Sequence, residues 1–248
     1  MIELRQLTRH FGDTIAVNHI SLTVNAGELF GFLGTNGAGK TTTMRMMVGL
    51  LKPSSGQALI NGYDIQTEPM RAKRCFGYLA QEPFLYDKLT GREFLHFLGG
   101  LHRLSQDEIT TRSTILLADV ALTDKADELI GSYSGGMKRK IALCGALLHQ
   151  PDVLILDEPF AGLDPLSARD VKQRLQDLCE RGKTIFMSTH TLEIAERVCT
   201  RLGIIHQGNL RAVGRLEDLR GTQQNNTLED IFIQLTGDQQ VAGLVEVL

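Results

Sequence analysis

A lysine and a threonine close a glycine-rich octet, Gly34-Thr35-Asn36-Gly37-Ala38-Gly39-Lys40-Thr41, and this spacing suits the binding of phosphate. Glycines let a loop curl until successive backbone N–H groups point inward at one anion. A helix opening at Thr41 adds the positive end of its dipole. Lys40 is then expected to reach the β- and γ-phosphates of a nucleotide and the Thr41 hydroxyl to sit on Mg²⁺, with Thr42 completing the phosphate-binding segment.

Acids follow at a second place. Val153-Leu154-Ile155-Leu156-Asp157-Glu158 is an apolar run ending in two carboxylates. In open α/β sheets ligands bind at the carboxyl ends of strands, where these side chains would emerge. Asp157 is expected to hold Mg²⁺, directly or through water, opposite Thr41. Glu158 is expected to orient and deprotonate an attacking water, because phosphoryl transfer needs mainly positioning and charge neutralisation. His190 follows the apolar run Thr184–Thr189; a lone histidine there is often structural, but its strand-end position favours a γ-phosphate contact. Gln81, before Glu82-Pro83, either caps a loop or touches Mg²⁺ or the water.

Ser134-Gly135-Gly136, lying 23 residues before Asp157, forms a second anion-binding end, with a hydroxyl and exposed N–H groups at a helix start. The plainer alternative is that Ser134 merely caps a helix over Gly136–Leu148. Two phosphate-binding ends in one chain are explained most economically by a head-to-tail dimer, each chain closing on the nucleotide held by the other.

The elements that must position these groups read as alternating strands and helices. Leu29–Leu33, Val153–Leu156, Ile185–Met187 and Leu202–Ile205 are near-continuous apolar runs, as expected for strands buried on both faces of a mostly parallel sheet. Thr41–Leu51 reads as a helix. Pro165–Arg181 reads as another, with Asp164 as its cap, Pro165 in its first turn and Gly182 just past its end. Between Asp87 and Gln150 the apolar spacing turns helical and no strand run is evident. Gln223–Asn226 reads as a polar linker and Leu228–Leu235 as a short amphipathic helix.

Over the 248 residues the formal charge is −3, which gives no support to nucleic-acid binding. Cys75, Cys144, Cys179 and Cys199 lack CxxC spacing and are expected to be buried free thiols. The amino-terminal residues lack the build of a signal peptide, and no run approaches the roughly 18–20 apolar residues of a membrane span. A soluble protein is expected, serving a membrane only through a partner.

In motif order the chain resembles the ATP-binding cassette (ABC) ATPases over about residues 1–220. Phe11 falls where that family stacks an aromatic on adenine. Gly34–Thr41 matches Walker A and Gln81 the Q-loop. Ser134-Gly135-Gly136 matches the signature, which acts in trans, and Val153–Glu158 matches Walker B with its catalytic glutamate. Ala161-Gly162-Leu163-Asp164 matches the D-loop and His190 the switch histidine. The resemblance implies an α/β P-loop NTPase fold with a mostly parallel sheet, an N-terminal antiparallel β region and an inserted α-helical subdomain. It divides the chain into a catalytic core (1–86 and 151–220), a helical signature subdomain (87–150) and a C-terminal helical extension (221–248). It also implies ATP and Mg²⁺ as cofactors and Glu158, His190 and Gln81 as catalytic residues. Thr41, Gln81 and Asp157 would be metal contacts and Asp164 a D-loop contact.

Tyr133 stands where leucine is commonest, Met137 where glutamine is, and Phe11 lacks the usual tyrosine hydroxyl, although stacking needs only the ring face. These variants, with Thr227–Gly237, look like the branch that pairs with separate ABC-2-type permeases, many of them exporters. The expected partners are an integral membrane permease and a second cassette, identical or related, with no nucleic acid. The expected location is cytoplasmic, peripheral on the inner face of the cell membrane. Rival readings are a soluble ABC ATPase of translation or DNA repair, and a P-loop kinase or GTPase. Lys40 and Ser134 lie only 94 residues apart, which leaves no room for the long coiled coils of the repair members, and no guanine-reading Asn-Lys-x-Asp is present.

Overall fold

The apolar runs become the centre of a six-stranded sheet. The computed structural model describes residues 1–220 and 227–237. The strands in chain order are β1 (Ile2–Phe11), β2 (Thr14–Val24), β3 (Leu29–Leu33), β4 (Ser55–Ile60), β5 (Tyr63–Asp64), β6 (Phe76–Leu79), β7 (Val153–Asp157), β8 (Thr184–Thr189), β9 (Arg201–His206) and β10 (Asn209–Gly214). The larger sheet runs β10-β9-β3-β8-β7-β6, parallel except for β10 at one edge. Every residue of β3, β7 and β8 is buried, which is why those strands read as unbroken apolar runs instead of alternating ones. A second sheet, β2-β1-β4-β5, is antiparallel. Its β1–β2 hairpin closes through Gly12-Asp13, with Gly12 at φ 56° and Phe11 paired to Thr14.

The helices are α1 (Lys40–Met47), α2 (Pro69–Cys75), α3 (Gly91–Leu101), α4 (Gln106–Asp119), α5 (Gly135–Leu147), α6 (Pro165–Glu180), α7 (Leu192–Val198), α8 (Leu216–Arg220) and α9 (Leu228–Thr236). The expected α1, Thr41–Leu51, is too long at its C-terminal end. Gly49 takes φ 74°, and Leu50 N–H bonds Arg45 O while Gly49 N–H bonds Met46 O, a Schellman stop. The same motif ends α6, where Gly182 takes φ 84° and the Lys183 and Gly182 N–H groups bond Leu178 O and Cys179 O. At its start Asp164 Oδ1 accepts from Leu166 and Ser167 N–H, as the sequence implies.

Between β6 and β7, α3, α4 and α5 close around Phe94, Leu95, Leu117, Ile130, Ile141 and Cys144. α9 opens on a Thr227–Asp230 capping box and buries Leu228, Ile231 and Phe232 against Ala195, Leu202 and Ile204. It is therefore docked on the sheet side. The expected linker Gln223–Asn226 lies outside the described residues, as does the chain beyond Gly237. All four cysteines are free, but burial is complete only at Cys144; Cys75, Cys179 and Cys199 are half-buried. Among the described residues no helix is long and apolar enough to cross a membrane.

Candidate functional site

The glycine loop is forced tight by what surrounds it. A Cβ on Gly34 would meet Ile205 O at 2.6 Å, and one on Gly39, at φ 108°, would meet Ala16 O at 2.6 Å. Lys40 is the first residue of α1 and buried. Its Nζ donates to Gly34 O (2.6 Å) and Thr35 O (3.1 Å), so the ammonium is held inside its own loop. Burial pulls its pKa below the ordinary lysine value, against the opposing fields of Glu158 and Asp157. A desolvated cation held only by carbonyls is well prepared to exchange them for phosphate.

The acids stand at the end of β7, next to β8 in parallel register, with Asp157 beside Ser188. Asp157 is 1% exposed. Its Oδ1 accepts from Ser188 Oγ, while Oδ2 is buried with no partner. Glu158, also buried, takes φ 51°, a strained left-handed conformation for a residue with a side chain. Its N–H donates to Ser188 Oγ at 3.0 Å and its Oε1 lies 2.8 Å from His190 Nδ1. Facing a carboxylate, Nδ1 is the ring nitrogen that carries the proton.

A cleft of about 360 Å³ gathers Thr35, Asn36, Gly37, Gly39, Lys40, Thr41, Thr42, Gln81, Asp157 and Glu158, together with Ala16, which sequence reasoning did not single out. Thr41, Gln81 and Asp157 bring a hydroxyl, an amide and a carboxylate to one wall. The bare Asp157 Oδ2 is what a hard cation needs. Among the described residues no cluster of three or more His, Cys, Asp or Glu could hold an ion by itself. Few oxygen donors from the protein, with the rest left to phosphate and water, fit Mg²⁺.

Other expected site residues fall outside that lining. Phe11 is 48% exposed, with the Arg9 guanidinium 4.6 Å from its ring centroid on one face. Asp164 is exposed, and its carboxylate caps α6 and accepts from Ser167 Oγ at 2.6 Å, bonds that lower its pKa. Ser134 is the N-cap of α5, its Oγ accepting from Met137 N–H at 3.2 Å; Ser134 and Gly135 are exposed and Gly136 is half-buried. This cap and the glycine loop do not meet within one chain's cleft. Tyr133, just before it, is buried and donates its hydroxyl to Lys125 O at 2.6 Å, anchoring the start of α5.

Two residues that matter to the geometry have no local signal in the sequence. Ser188 reaches both acids through strand register alone. Arg139 of α5 is buried, with Nη1 on Glu158 O (2.7 Å) and Nη2 on Gln81 O. A larger groove of about 770 Å³ runs from Thr41, Gln81 and Asp157 out to Phe84, Leu85 and Phe94, so the cleft and the groove share a wall. Phe84 is 99% exposed and Tyr86 54%.

Comparison with known proteins adds the following. A family model described as ABC transporter matches residues 17–161. YbhF of Escherichia coli (strain K12), a probable multidrug ABC transporter ATP-binding protein, is 40% identical over 243 residues, covering 96% of this chain and 42% of YbhF. The chain thus spans less than half the length of that relative. The linearmycin resistance ATP-binding protein LnrL of Bacillus subtilis (strain 168) is 39% identical, covering 95% of this chain and 75% of LnrL. A solved ATP-binding subunit of an ABC transporter matches with TM-score 0.89 at 33% identity, over 95% of this chain and 99% of that one. A dimeric post-hydrolysis cassette, MJ0796 bound to ADP and Pi, matches with TM-score 0.80 at 25% identity, over 87% and 99%.

Proposed function

The chain belongs to the ABC transporter family, and from that premise we propose that it is the ATP-hydrolysing subunit of a membrane exporter, working as a pair of cassettes closed around two nucleotides. One observation carries this reading. Lys40, Thr41, Gln81, Asp157 and Glu158 line a single cleft, while the Ser134 end of α5 lies exposed outside it. A nucleotide in the cleft would have loop and acids on one side and nothing of this chain's signature on the other. A second chain supplies that side, with Ser134, Gly135 and Gly136 facing the γ-phosphate in trans and Asp164 near the junction. The dimeric cassette among the solved structures supports the arrangement.

Within one site, Lys40 leaves the Gly34 and Thr35 carbonyls for the β- and γ-phosphates, and the loop N–H groups receive the rest of the charge. Thr41 and Asp157, with Gln81 beside them, would hold Mg²⁺, which would supply neutralisation of the phosphate charge. Glu158 accepts the proton of the attacking water, and His190, its Nδ1–H engaged by Glu158, donates from its other nitrogen to the γ-phosphate only when the ring carries both protons. Phe11 presents its uncovered ring face to adenine.

On this reading residues 1–86 and 151–220 form the catalytic core, 87–150 the helical signature portion, and α9 belongs to a C-terminal extension. The groove lined by Gln81, Phe84 and Leu85 is where a separate membrane permease docks, which holds the chain on the cytoplasmic face. The names of YbhF and LnrL, a multidrug and an antibiotic-resistance system, favour export.

The decisive experiment is Glu158→Gln. It should keep ATP binding, lower turnover by roughly 10²–10⁴-fold, the range of a lost general base, and accumulate a dimer in Mg-ATP by light scattering. A variant that stays monomeric at saturating ATP counts against the two-chain site.

A further inference from the structure

Arg139 is a buried cation whose bonds all go to main-chain carbonyls of the catalytic loops. It is 9% exposed, on α5, five residues after Ser134. Nη1 donates to Glu158 O at 2.7 Å and reaches Asp157 O at 3.5 Å, and Nη2 donates to Gln81 O. Buried arginines ordinarily face a carboxylate side chain. Among the described residues Arg139 makes no ion pair, and its rigid fork spans two loops that are 77 residues apart in sequence. Those loops carry the two side chains, Gln81 and Glu158, that would touch the metal and the attacking water. The same helix begins at Ser134, the end that meets the partner's nucleotide on the reading above.

α5 is one continuous helix from Gly135 to Leu147, so a shift of its first turn moves Arg139 with it. A planar guanidinium cannot follow one carbonyl without pulling on the other. We propose that Arg139 is a positioning residue that links Ser134 to Glu158 and Gln81 of its own chain, so that hydrolysis at one site depends on nucleotide bound at the other. The inference rests on the two-chain reading and adds a direction of communication to it.

The test compares the 248-residue wild-type chain with Arg139→Lys and Arg139→Met. Lysine keeps a cation in the same space but is a point charge that cannot bridge both carbonyls. Measured quantities are the thermal midpoint, ATP binding at concentrations too low for dimerisation, and hydrolysis across ATP concentration. The wild type should show a Hill coefficient well above 1. Arg139→Lys should keep monomer ATP affinity within about threefold and lower kcat by about tenfold or more. Its Hill coefficient should drop to near 1.

Retention of the wild-type Hill coefficient and kcat by Arg139→Lys overturns the proposal. So does a loss of kcat matched by an equal loss of monomer ATP affinity. A wild type that is non-cooperative and stays monomeric in ATP overturns the two-chain reading, and the proposal falls with it. Should neither variant fold, hydrogen exchange on the wild type and Ser134→Ala decides. With Mg-ATP bound to both, the amides of 80–82, 157, 158 and 160 should gain protection only in the wild type, and equal protection in the two chains refutes the link.

Discussion

Ser188→Ala tests the geometry of the acids most directly, because one hydroxyl serves both. Ser188 Oγ donates to Asp157 Oδ1 and accepts from Glu158 N–H at 3.0 Å, and all three residues are buried. Truncation to alanine removes the hydroxyl without adding volume. A hydrogen bond to a charged acceptor contributes roughly 1.5–3 kcal/mol, and an orphaned buried amide costs about 1–3 kcal/mol. The two terms share an atom and do not add fully, so about 3 kcal/mol is the expected loss. Asp157 Oδ2 already lacks a partner, which leaves the whole carboxylate bare in the variant.

For a chain of this size about 3 kcal/mol lowers the thermal midpoint by roughly 6–12 °C. The assay is urea unfolding followed by circular dichroism in nucleotide-free buffer, repeated in an Asp157→Asn background. In that background Ser188→Ala should cost only about 1 kcal/mol, since the charged acceptor is gone. A loss below about 0.5 kcal/mol in the wild-type background, where a made bond of this kind contributes several times that, would show that the hydroxyl does not hold Asp157. The proposed orientation of Asp157 towards a metal would then be wrong.

Lys40→Met should weaken ATP binding by roughly 30- to 1000-fold, the equivalent of about 2–4 kcal/mol of charge-assisted phosphate contact. Its nucleotide-free stability should change by no more than about 1 kcal/mol, because a desolvated cation is replaced by an apolar chain of similar length; calorimetric titration and unfolding read the two numbers separately. His149 supplies a pH test. Burial first, and then the stacked ring of His102 at 3.8 Å, hold its pKa down at about 4. Its Nε2–H donates to Phe76 O at 3.0 Å and its Nδ1 has no partner. The unfolded chain takes up this proton near pH 6.5 and the folded chain only near 4. The contribution is therefore complete above 6.5 and is lost as pH falls towards 4. For a half-buried ring the loss is about 1 kcal/mol after screening. Unfolding of His149→Gln between pH 7 and 4 should be flatter than that of the wild type by that amount, and an unchanged slope refutes the assignment.

What could be read from the sequence was whatever the chain holds side by side. The octet ending at Thr41, the Asp157-Glu158 pair and the Asp164–Gly182 frame of α6 each carry their physics within a few neighbouring residues. Gly12-Asp13 between β1 and β2 is equally local, a hairpin signal carried by two adjacent residues. Gly49 would likewise have marked the end of α1. Ser188 is different in kind, since its meeting with Asp157 exists only once β7 and β8 are in register. The left-handed Glu158 could not be foreseen either, because nothing about glutamate favours φ 51°. That conformation is imposed by the Ser188 hydroxyl on its N–H and the Arg139 guanidinium on its carbonyl.

Among the described residues two cations, Lys40 and Arg139, are buried, and the contrast between them bears on the proposed two-chain site. Lys40 and Arg139 both sit on main-chain carbonyls, and burial lowers the pKa of each against the fields of Glu158 and Asp157. They are not equally free to move. Lys40 bonds two carbonyls of its own loop through one ammonium on a flexible stem, so it can exchange both for phosphate without disturbing another element. Arg139 bonds carbonyls of two separate loops from a third element, so no small displacement of α5 leaves all three where they were. Nucleotide arriving in the cleft should therefore change the partners of Lys40 first and leave Arg139 in place. Contact at the exposed Ser134 end should do the reverse. On the proposed two-chain reading, binding and commitment to hydrolysis would fall to different cations, and only the second would require another chain.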